Sequence, residues 1–208
     1  GSHTVFLARH SIPKGKIFAF EPRRLLFQNL CGNLAINDIE NVIAYDCGLG
    51  DKLEYFSEGN MDFSFKNNFG AYPIGTIPGE GEKIKIEKLD NIIKSNIRIN
   101  LIKADVEGHE LKLLLGAKEL IKRDRPYLYL ENDRIDESKL LLTYILSLEY
   151  NIWFHIVSLF NPNNRANTSY NIFPNIKSFN IICSPKEKGY NFENLKKVTD
   201  PEYHPLKR

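Results

Sequence analysis

Apolar positions in the middle of the chain change their spacing twice, and these changes predict a strand, a helix and a second strand. Residues 100–104 form a largely apolar run that ends at Asp105, and Gly108 supplies a turn. Apolar residues then recur three and four positions apart, which is typical of a helix with one buried face. They are Leu111, Leu114, Leu115, Ala117, Leu120 and Ile121. Arg125-Pro126 ends this helix, residues 127–133 form the next strand, and the short connections predict parallel, neighbouring strands.

Both predicted strands finish in acidic residues. Asp105 and Glu107 follow the first strand, and Glu131 and Asp133 follow the second. In an open parallel sheet the carboxyl ends of the strands face the ligand crevice. Acids also suit the N-terminus of a following helix, so capping explains any one of them equally well. Several acids at one edge of a sheet favour a functional site over capping alone.

The first part of the chain repeats this arrangement. A helix, a strand, a second helix and a second strand are predicted at residues 4–10, 16–20, 25–35 and 41–45. Pro22 fits the first turn of the second helix, where a missing N–H costs nothing. Glu21 and Asp46 follow the two strands. This unit therefore also places acids at its strand ends.

The remaining pattern predicts a single domain over residues 1–208 with an irregular insertion and a charged tail. Residues 53–81 are rich in turn residues and fit an active-site lid or hairpin, although residues 52–56 alternate like a short strand. Further elements are a half-exposed strand at 82–88, a helical turn or two at 89–93, a helix at 137–150 and strands at 151–159 and 178–183. The last two strands are expected to form an antiparallel pair at a sheet edge. The tail from residue 187 is expected to wrap the surface or to be mobile.

Charge and cysteine content narrow the classes of function. The chain has 28 basic and 26 acidic residues, which argues against a dedicated nucleic-acid binder. A run of about 18 apolar residues, as a membrane span needs, does not occur in the sequence. Cys31, Cys47 and Cys183 are scattered and odd in number, so neither a disulfide framework nor a zinc site is indicated. A cytoplasmic, reducing environment is the default expectation.

Several segments together resemble the FkbM-type family of S-adenosylmethionine-dependent methyltransferases. They are residues 15–22 (GKIFAFEP), 47–51 (CGLGD), 102–110 (IKADVEGHE), Gly116-Ala117, Arg125-Pro126 with Glu131, and 178–183 (SFNIIC). The resemblance covers almost the whole chain in order, and the segment ending in Asp105 to Glu110 is its most specific part. It implies an α/β fold with a Rossmann-like class I methyltransferase sheet, mostly parallel, with an antiparallel edge pair.

The resemblance also implies a reaction and its participants. The cofactor is expected to be S-adenosylmethionine, and the acceptor a hydroxyl group on a sugar, a polysaccharide or a lipid-linked glycan. A small-molecule or glycan substrate is the expected partner, and the oligomeric state stays open. A degenerate binding or scaffold module of the same fold is the alternative. A short dehydrogenase is a third reading, but the chain has no GxGxxG fingerprint to support it.

The start of the chain departs from the family pattern. Such enzymes open with a strand and a loop of the form Asp-x-Gly-Ala-Asn-x-Gly, whereas this sequence begins at a residue that matches the last glycine of that loop. We interpret Gly1-Ser2-His3 as native sequence rather than a cloning remnant, because the predicted helix follows without a polar linker. On this interpretation the first strand is missing, and we expect weak cofactor binding and low stability.

Roles for individual residues follow from the resemblance. Glu21 would hold the ribose hydroxyls of the cofactor, Gly1 would belong to its glycine-rich loop, and Asp46, Cys47 and Gly48 would border its adenine. Cys47 fits a small buried residue equally well. The residue nearest the methyl group, which would orient or deprotonate the acceptor hydroxyl, is expected to be Asp105. Glu107 is the second catalytic candidate.

The acceptor pocket and a metal are less determined by the sequence. Asn68, Gly70 and residues 161–164 could line an acceptor pocket or could be solvated loop. Asp105 with Glu131 and Asn132 would offer oxygen ligands of the kind that Mg²⁺ prefers. Alternation along the strand would point Glu131 and Asn132 to opposite faces, however. No metal is therefore assigned.

Overall fold

The structure is a computed structural model that describes residues 1–11, 15–62, 64, 70, 72–164 and 167–207. The chain divides into two compact units. The first comprises Gly1–Lys94 and Lys112–Lys118, and the second comprises Ser95–Leu111 and Glu119–Arg208. Helices and strands alternate along much of the chain, so the fold is mixed α/β, as expected. Among the described residues, no helix is both long enough and apolar enough to cross a membrane.

In the described part of residues 1–94, the first unit contains three helices and five strands. They are α1 (Ser2–His10), β1 (Ile17–Phe20), α2 (Arg24–Ile36), β2 (Val42–Tyr45), β3 (Gly48–Leu49), β4 (Glu54–Glu58), β5 (Glu82–Glu87) and α3 (Leu89–Ile92). The predicted elements are confirmed to within a few residues. Two details were wrong. Helix α2 begins after Pro22, with Arg23 as its N-cap, and residues 48–49 form a short strand within the predicted loop.

The strands of the first unit form two small sheets. Strands β1 and β2 are parallel, with Ile17 beside Val42 and Phe20 beside Tyr45. Strand β5 pairs in parallel with β3 and antiparallel with β4. A buried cluster against α2 stabilises the parallel pair. It consists of Ala19, Leu30 and Leu34, with Val5, Phe27, Ile39, Val42 and Ala44 packed around it.

The remaining elements run from Leu101 to Lys197. They are β6 (Leu101–Ala104), α4 (Glu110–Leu115), α5 (Lys118–Asp124), β7 (Tyr127–Glu131), α6 (Ile135–Ser147), β8 (Tyr150–Ser158), β9 (Lys177–Pro185), a 3-10 turn (Lys186–Lys188) and β10 (Lys196–Lys197). The predicted helix after Gly108 was wrong in one respect, because it is two helices with a break at Gly116 and Ala117. The division between the two units passes through α4 and the first residue of α5.

Close packing at Gly116 accounts for the break. A Cβ atom at this position would lie 1.8 Å from the carbonyl oxygen of Gly50, so only glycine fits. The Gly116 carbonyl also accepts a hydrogen bond from the N–H of Asp90 over 3.0 Å, instead of one from within a continuous helix. The local periodicity could not reveal these contacts, since Gly50 and Asp90 are distant in sequence.

The second unit is built on one five-stranded sheet in the order β10-β8-β9-β7-β6. The predicted parallel pairing of β6 and β7 and the predicted antiparallel pairing of β8 and β9 are both confirmed. Strand β9 also pairs antiparallel with β7, and β10 pairs antiparallel with β8. In the described chain the two-residue strand β10 lies outside β8, so the predicted edge position of the β8–β9 pair was wrong. Strands β6, β7 and β8 run in one direction and β9 runs opposite to them, and the complete Rossmann-like sheet stays a prediction.

The segment after Glu187 packs against the second unit. Val198 is 4% exposed and its N–H donates to the Ile152 carbonyl over 2.8 Å. His204 is 1% exposed. Its Nε2 donates to the Asn132 carbonyl over 2.8 Å, and its Nδ1 accepts the N–H of Leu206 over 3.1 Å. The tail thus reaches the strand end that carries Glu131 and Asn132.

Candidate functional site

The two parallel strands of the first unit end side by side, and an acid follows each. Phe20 pairs with Tyr45 in the strand register, and their rings stack with centroids 5.1 Å apart. The N–H of Glu21 donates to the Tyr45 carbonyl over 3.1 Å. Glu21 and Asp46 therefore lie next to each other at the carboxyl edge of this pair, as the sequence pattern predicted.

The environment of Glu21 suits a carboxylate that binds hydroxyl groups. One of its oxygens accepts the N–H of Arg23 over 3.1 Å. Burial raises the pKa of Glu21 above its ordinary value, and this hydrogen bond, the charge of Arg23 and the amino group of Gly1 partly oppose the rise. A carboxylate has a second oxygen that can accept a ribose hydroxyl.

Arg23 is a residue whose role the sequence did not reveal. It is 5% exposed, and its guanidinium donates to Glu58 over 2.7 Å and to the carbonyl oxygens of Tyr72 and Pro73 over 2.8 and 3.1 Å. Loss of one partner of such a buried pair costs roughly 3–5 kcal/mol. Because its backbone N–H also holds Glu21, Arg23 fixes the position of the strand-end carboxylate. Its partners are distant in sequence, so no local motif could have identified it.

Cys47 and Gly48 are held by packing. Cys47 is 5% exposed, and burial raises the pKa of its thiol, which makes it unreactive. A Cβ atom at Gly48 would lie 2.6 Å from Cδ1 of Ile86, so a larger residue there would require the end of the Ile86 side chain to shift. Their expected role beside the adenine stays a prediction, and it would rest on their backbone groups.

A second set of acids lies in the second unit, at the carboxyl ends of β6 and β7. Ala104 pairs with Leu130 in the parallel register, so the next residues, Asp105 and Glu131, are neighbours across the strands. Lys103, also on β6, reaches Asp105 with 3.1 Å between Nζ and Oδ2. Asp105 therefore lies at the carboxyl edge of the sheet, where the sequence pattern predicted it.

Glu131 has the electrostatic environment of a proton acceptor. Burial raises its pKa to about 8, and the charges of Asp105, Asp133, Glu107 and Glu110 add to the effect. Its Oε2 atom is buried without a hydrogen-bond partner in the structure. A general base works best with a pKa near the operating pH. The sequence pattern placed Glu131 at this edge but did not identify it as a catalytic residue.

Glu107 is held in an unusual turn. Its φ is +53° and that of Gly108 is +94°, and the His109 N–H donates back to the Val106 carbonyl over 3.3 Å. Positive φ at both central positions is the pattern of a type I′ turn and is costly for a glutamate. Arg134 compensates by contacting Glu107, with 2.5 Å between Nη2 and Oε2. Burial nevertheless raises the pKa of Glu107.

Carboxylate oxygens of Asp105, Glu107 and Glu131 lie within 4.8 Å of one another. The positive charges of Lys103 and Arg134 already contact two of them. Burial alternates along β7 and continues to Asn132, which is 5% exposed. Glu131 and Asn132 therefore face opposite sides, as the alternation predicted. The two do not converge on Asp105 as an acid–amide pair.

Glu110 has a structural role at the start of α4. It is 5% exposed and its Oε1 accepts the N–H of Val106 over 3.0 Å. Burial raises its pKa. This contact closes the segment between β6 and α4, which carries Asp105 and Glu107, and so fixes both candidates relative to the sheet.

The expected acceptor residues have different outcomes. Asn68 lies outside the described residues, and Gly70 is exposed. The Asn164 amide donates to the carbonyls of Asn161 and Thr168 over 3.0 and 2.7 Å. The side chain of Asn161 accepts the N–H of Asn163 over 2.9 Å. These side chains shape their own loop, and their part in an acceptor pocket stays a prediction.

The chain is similar in sequence to a known protein family and to known proteins. The family model described as "Methyltransferase FkbM domain" matches residues 1–152. "Methyltransferase 1" of Beauveria bassiana (strain ARSEF 2860) is 27% identical over 138 residues. "Methyltransferase sdnD" of Sordaria araneosa is 28% identical over 150 residues. The matched regions cover 57% of this chain in both cases, and 55% and 57% of the two relatives, so the chain spans just over half of their length.

A solved structure shows the same fold. The crystal structure of methyltransferase FkbM from Methylobacillus flagellatus KT superimposes with a TM-score of 0.55 over 88% of this chain and 40% of that protein. The two sequences are 20% identical. This similarity supports the mixed α/β architecture described above.

Proposed function

This chain belongs to the FkbM methyltransferase family, and from that premise we propose that it transfers the methyl group of S-adenosylmethionine to a hydroxyl group. The acceptor we propose is a sugar, a polysaccharide or a lipid-linked glycan. We further propose that residues 1–208 act as one methyltransferase domain with a Rossmann-like class I sheet. The three cysteines are free thiols, and this supports a cytoplasmic location.

The observation that carries the proposal is the pair of strand-end carboxylates Asp105 and Glu131. They are neighbours at the carboxyl ends of two parallel strands, where ligands of α/β sheets bind. The pKa of Glu131 is raised to about 8, so its ionised form is a stronger base than an ordinary carboxylate. Two adjacent carboxylates can therefore divide the work, Asp105 orienting the acceptor hydroxyl and Glu131 or Glu107 taking up its proton.

In the proposed reaction, Asp105, Glu131 and Glu107 are the protein groups that act on the acceptor hydroxyl. S-Adenosylmethionine, when bound, supplies an activated methyl group on a sulfonium ion. When this methyl group is transferred, Asp105 would hold the acceptor hydroxyl in line and Glu131 or Glu107 would accept the hydroxyl proton. The main task of the protein is to hold the hydroxyl in line and to accept the proton.

The donor set of the first unit fits the proposed cofactor. Glu21 and Asp46 stand side by side at a strand edge, and Arg23 holds one Glu21 oxygen through its backbone N–H. The second oxygen of Glu21 would accept a hydroxyl of the ribose. Gly1, Cys47 and Gly48 would contribute backbone groups. Asp105 would border the methyl group as well as the acceptor.

Two measurements test the proposal on the full-length protein. Calorimetric titration should show S-adenosylmethionine binding that Glu21→Ala weakens by roughly 1.5–3 kcal/mol, the value of a hydrogen bond to a charged group. Transfer of a radiolabelled methyl group to a set of glycans should fall about 100-fold or more in Asp105→Asn, because the acceptor hydroxyl is no longer held in line. Asp136→Asn, at an exposed acid in the first turn of α6, is the matched control.

The outcomes separate the enzyme from a scaffold. Cofactor binding with methyl transfer that depends on Asp105 supports the enzyme. Binding without transfer to any acceptor would favour the degenerate binding module. Unchanged affinity in Glu21→Ala would remove Glu21 from the cofactor site, and equal activity of Asp105→Asn and Asp136→Asn would remove Asp105 from the reaction.

A further inference from the structure

A row of polar side chains crosses the sheet of the second unit beside the acidic edge. Glu131 on β7 pairs with Asn180 on β9, and Asn180 pairs with His155 on β8. Directly opposite residues in adjacent strands point to the same face. Asp105 continues the row beside Glu131 at the end of β6. Four polar residues thus lie in line on one face.

Tyr129 joins this row to a second hydrogen-bonding group. It lies two residues before Glu131 and therefore on the same face. Its hydroxyl lies 3.1 Å from Nδ1 of His155, and the two rings are tilted with centroids 5.7 Å apart. Burial and the charge of Asp105 raise the pKa of the Tyr129 hydroxyl. The Tyr129–His155 pair is therefore electrostatically linked to the acidic edge.

Trp153 occupies a covered part of the same face next to the polar row. Trp153 shares a register row with Ile182 and Tyr129, is 1% exposed, and packs edge-on against Phe192 at 5.1 Å. Tyr129, Glu131 and His155, in contrast, are only half-buried, while Asn180 is 8% exposed. A ligand can therefore reach the polar row.

We propose that Tyr129, Asn180 and His155 form the surface on which the acceptor lies, with its reacting hydroxyl held at Asp105 and Glu131. This inference rests on the proposed methyl transfer and specifies its acceptor site. The row offers a phenol, an amide, an imidazole and carboxylates, which together donate and accept hydrogen bonds. The aromatic rings of Tyr129 and His155 add flat surface. A carbohydrate, with several hydroxyls on a ring that has apolar faces, matches this combination, whereas an apolar alcohol does not.

Asn180 is oriented for such a role. Its Nδ2 donates to the Ser178 hydroxyl on the same strand over 2.8 Å. This contact fixes the amide plane, so that Oδ1 can accept a hydroxyl proton. The Tyr129 hydroxyl forms a hydrogen bond with Nδ1 of His155. The other ring nitrogen, Nε2, can then bind the acceptor. The three groups are thereby held in place before the acceptor binds.

Binding of simple sugars tests the proposal without any catalysis. Saturation-transfer NMR on the full chain would compare methyl glucoside, methyl galactoside and methyl rhamnoside with cyclohexanol. We expect at least one glycoside to bind, and Tyr129→Phe and His155→Gln each to weaken its Kd about three- to tenfold, as the loss of one hydrogen bond would. Cyclohexanol should not compete with the glycoside.

Tyr127→Phe is the matched control, because it removes the same hydroxyl from the same strand. Tyr127 packs edge-on against Tyr190 at 5.6 Å, away from the row. Equal Kd values in wild type, Tyr129→Phe and His155→Gln would overturn the proposal, as would an equal loss in Tyr127→Phe or the binding of no glycoside. Thermal unfolding of each variant would show that a loss of binding is not a loss of fold.

Kinetics distinguish an acceptor surface from a purely structural role. With a glycan acceptor, Tyr129→Phe should raise the acceptor KM about three- to tenfold and leave the affinity for S-adenosylmethionine unchanged. An unchanged acceptor KM would overturn the proposal. A wild-type chain that binds glycosides but not S-adenosylmethionine would instead contradict the proposed reaction while keeping the carbohydrate surface.

Discussion

At the scale of single residues, Glu131 couples the candidate site to stability. Its pKa in the folded chain is about 8, above the ordinary 4.5. The folded state therefore holds a proton that the unfolded state releases between these values, and stability falls as pH rises from 4.5 to about 8. Glu131→Gln cannot ionise. We expect it to melt at least about 2 °C higher than wild type at pH 9, the shift that 1 kcal/mol gives in a chain of this size.

The stability advantage of Glu131→Gln should depend on pH. Below the unfolded pKa both states hold the proton, so the advantage of Glu131→Gln should disappear at pH 4. Glu137→Gln, at an exposed acid of α6, should melt like wild type at both values. Scanning calorimetry across the pH range provides the measurement. An advantage of Glu131→Gln that is the same at pH 4 and pH 9 would show that its carboxyl is not the titrating group.

The sequence predicted the positions of the candidate residues better than their properties. Glu21, Asp46, Asp105 and Glu131 were placed at strand ends by alternating apolar runs and short connections, which are local features. The raised pKa of Glu131 depends on burial and on acids brought together by folding. Arg23 likewise donates its backbone N–H to Glu21 and its guanidinium to Glu58, a residue that only folding brings close to Arg23. Such properties cannot be derived from spacing along one chain.

At the scale of elements, Gly116 determines where the helix after Gly108 is interrupted. Replacing it with alanine would place Cβ 1.8 Å from the Gly50 carbonyl oxygen, which is backbone and cannot swing aside. Overpacking of this kind typically costs about 1–3 kcal/mol. We expect Gly116→Ala to lower the free energy of unfolding by at least this amount in urea titrations.

A second glycine provides the control for this prediction. Gly32 lies inside α2, and a Cβ atom there would meet nothing within 4 Å. Alanine should stabilise this helix position by roughly 0.5–1 kcal/mol. Opposite signs for the two substitutions would confirm that packing, not helix propensity, sets the helix break. A stabilising Gly116→Ala would contradict the close contact with Gly50.

Elements were predictable where one face is buried and less so where contacts are distant. The helices α1, α2 and α6 and the strands β6 and β7 have clear periodicity, and each was predicted to within a few residues. The two-residue strands β3 and β10 carry too few residues for a pattern, and only their pairing with β5 and β8 defines them. Strand pairing order was harder still, since β9 inserts between β7 and β8.

At the scale of the whole chain, the family was evident from motifs, while the topology of the sheets was not. The conspicuous segments around Glu21, Cys47 and Asp105 lie within the matched residues 1–152. Residues 153–207 contain most of β8, all of β9 and β10, and the tail. This region supplies Asn180, His155 and His204, so the proposed acceptor surface depends largely on a part of the chain beyond the family match.

The tail should support the acidic edge through His204. Both ring nitrogens are used, since Nε2 donates to the Asn132 carbonyl and Nδ1 accepts the Leu206 N–H. This arrangement defines the Nε2–H tautomer of a neutral ring. His204→Phe keeps an aromatic ring in a site that is 1% exposed but leaves the buried Asn132 carbonyl and the part-buried Leu206 N–H unpaired. The cost should be about 1–3 kcal/mol for each group that stays dry. His204→Gln, which can still donate to the Asn132 carbonyl, should lose less.

Hydrogen exchange should show faster exchange at Leu206 and Val198 in His204→Phe, and the acceptor KM should rise because Asn132 adjoins Glu131. Exchange at these amides that is rapid already in the wild type would mean that the tail does not hold the strand end.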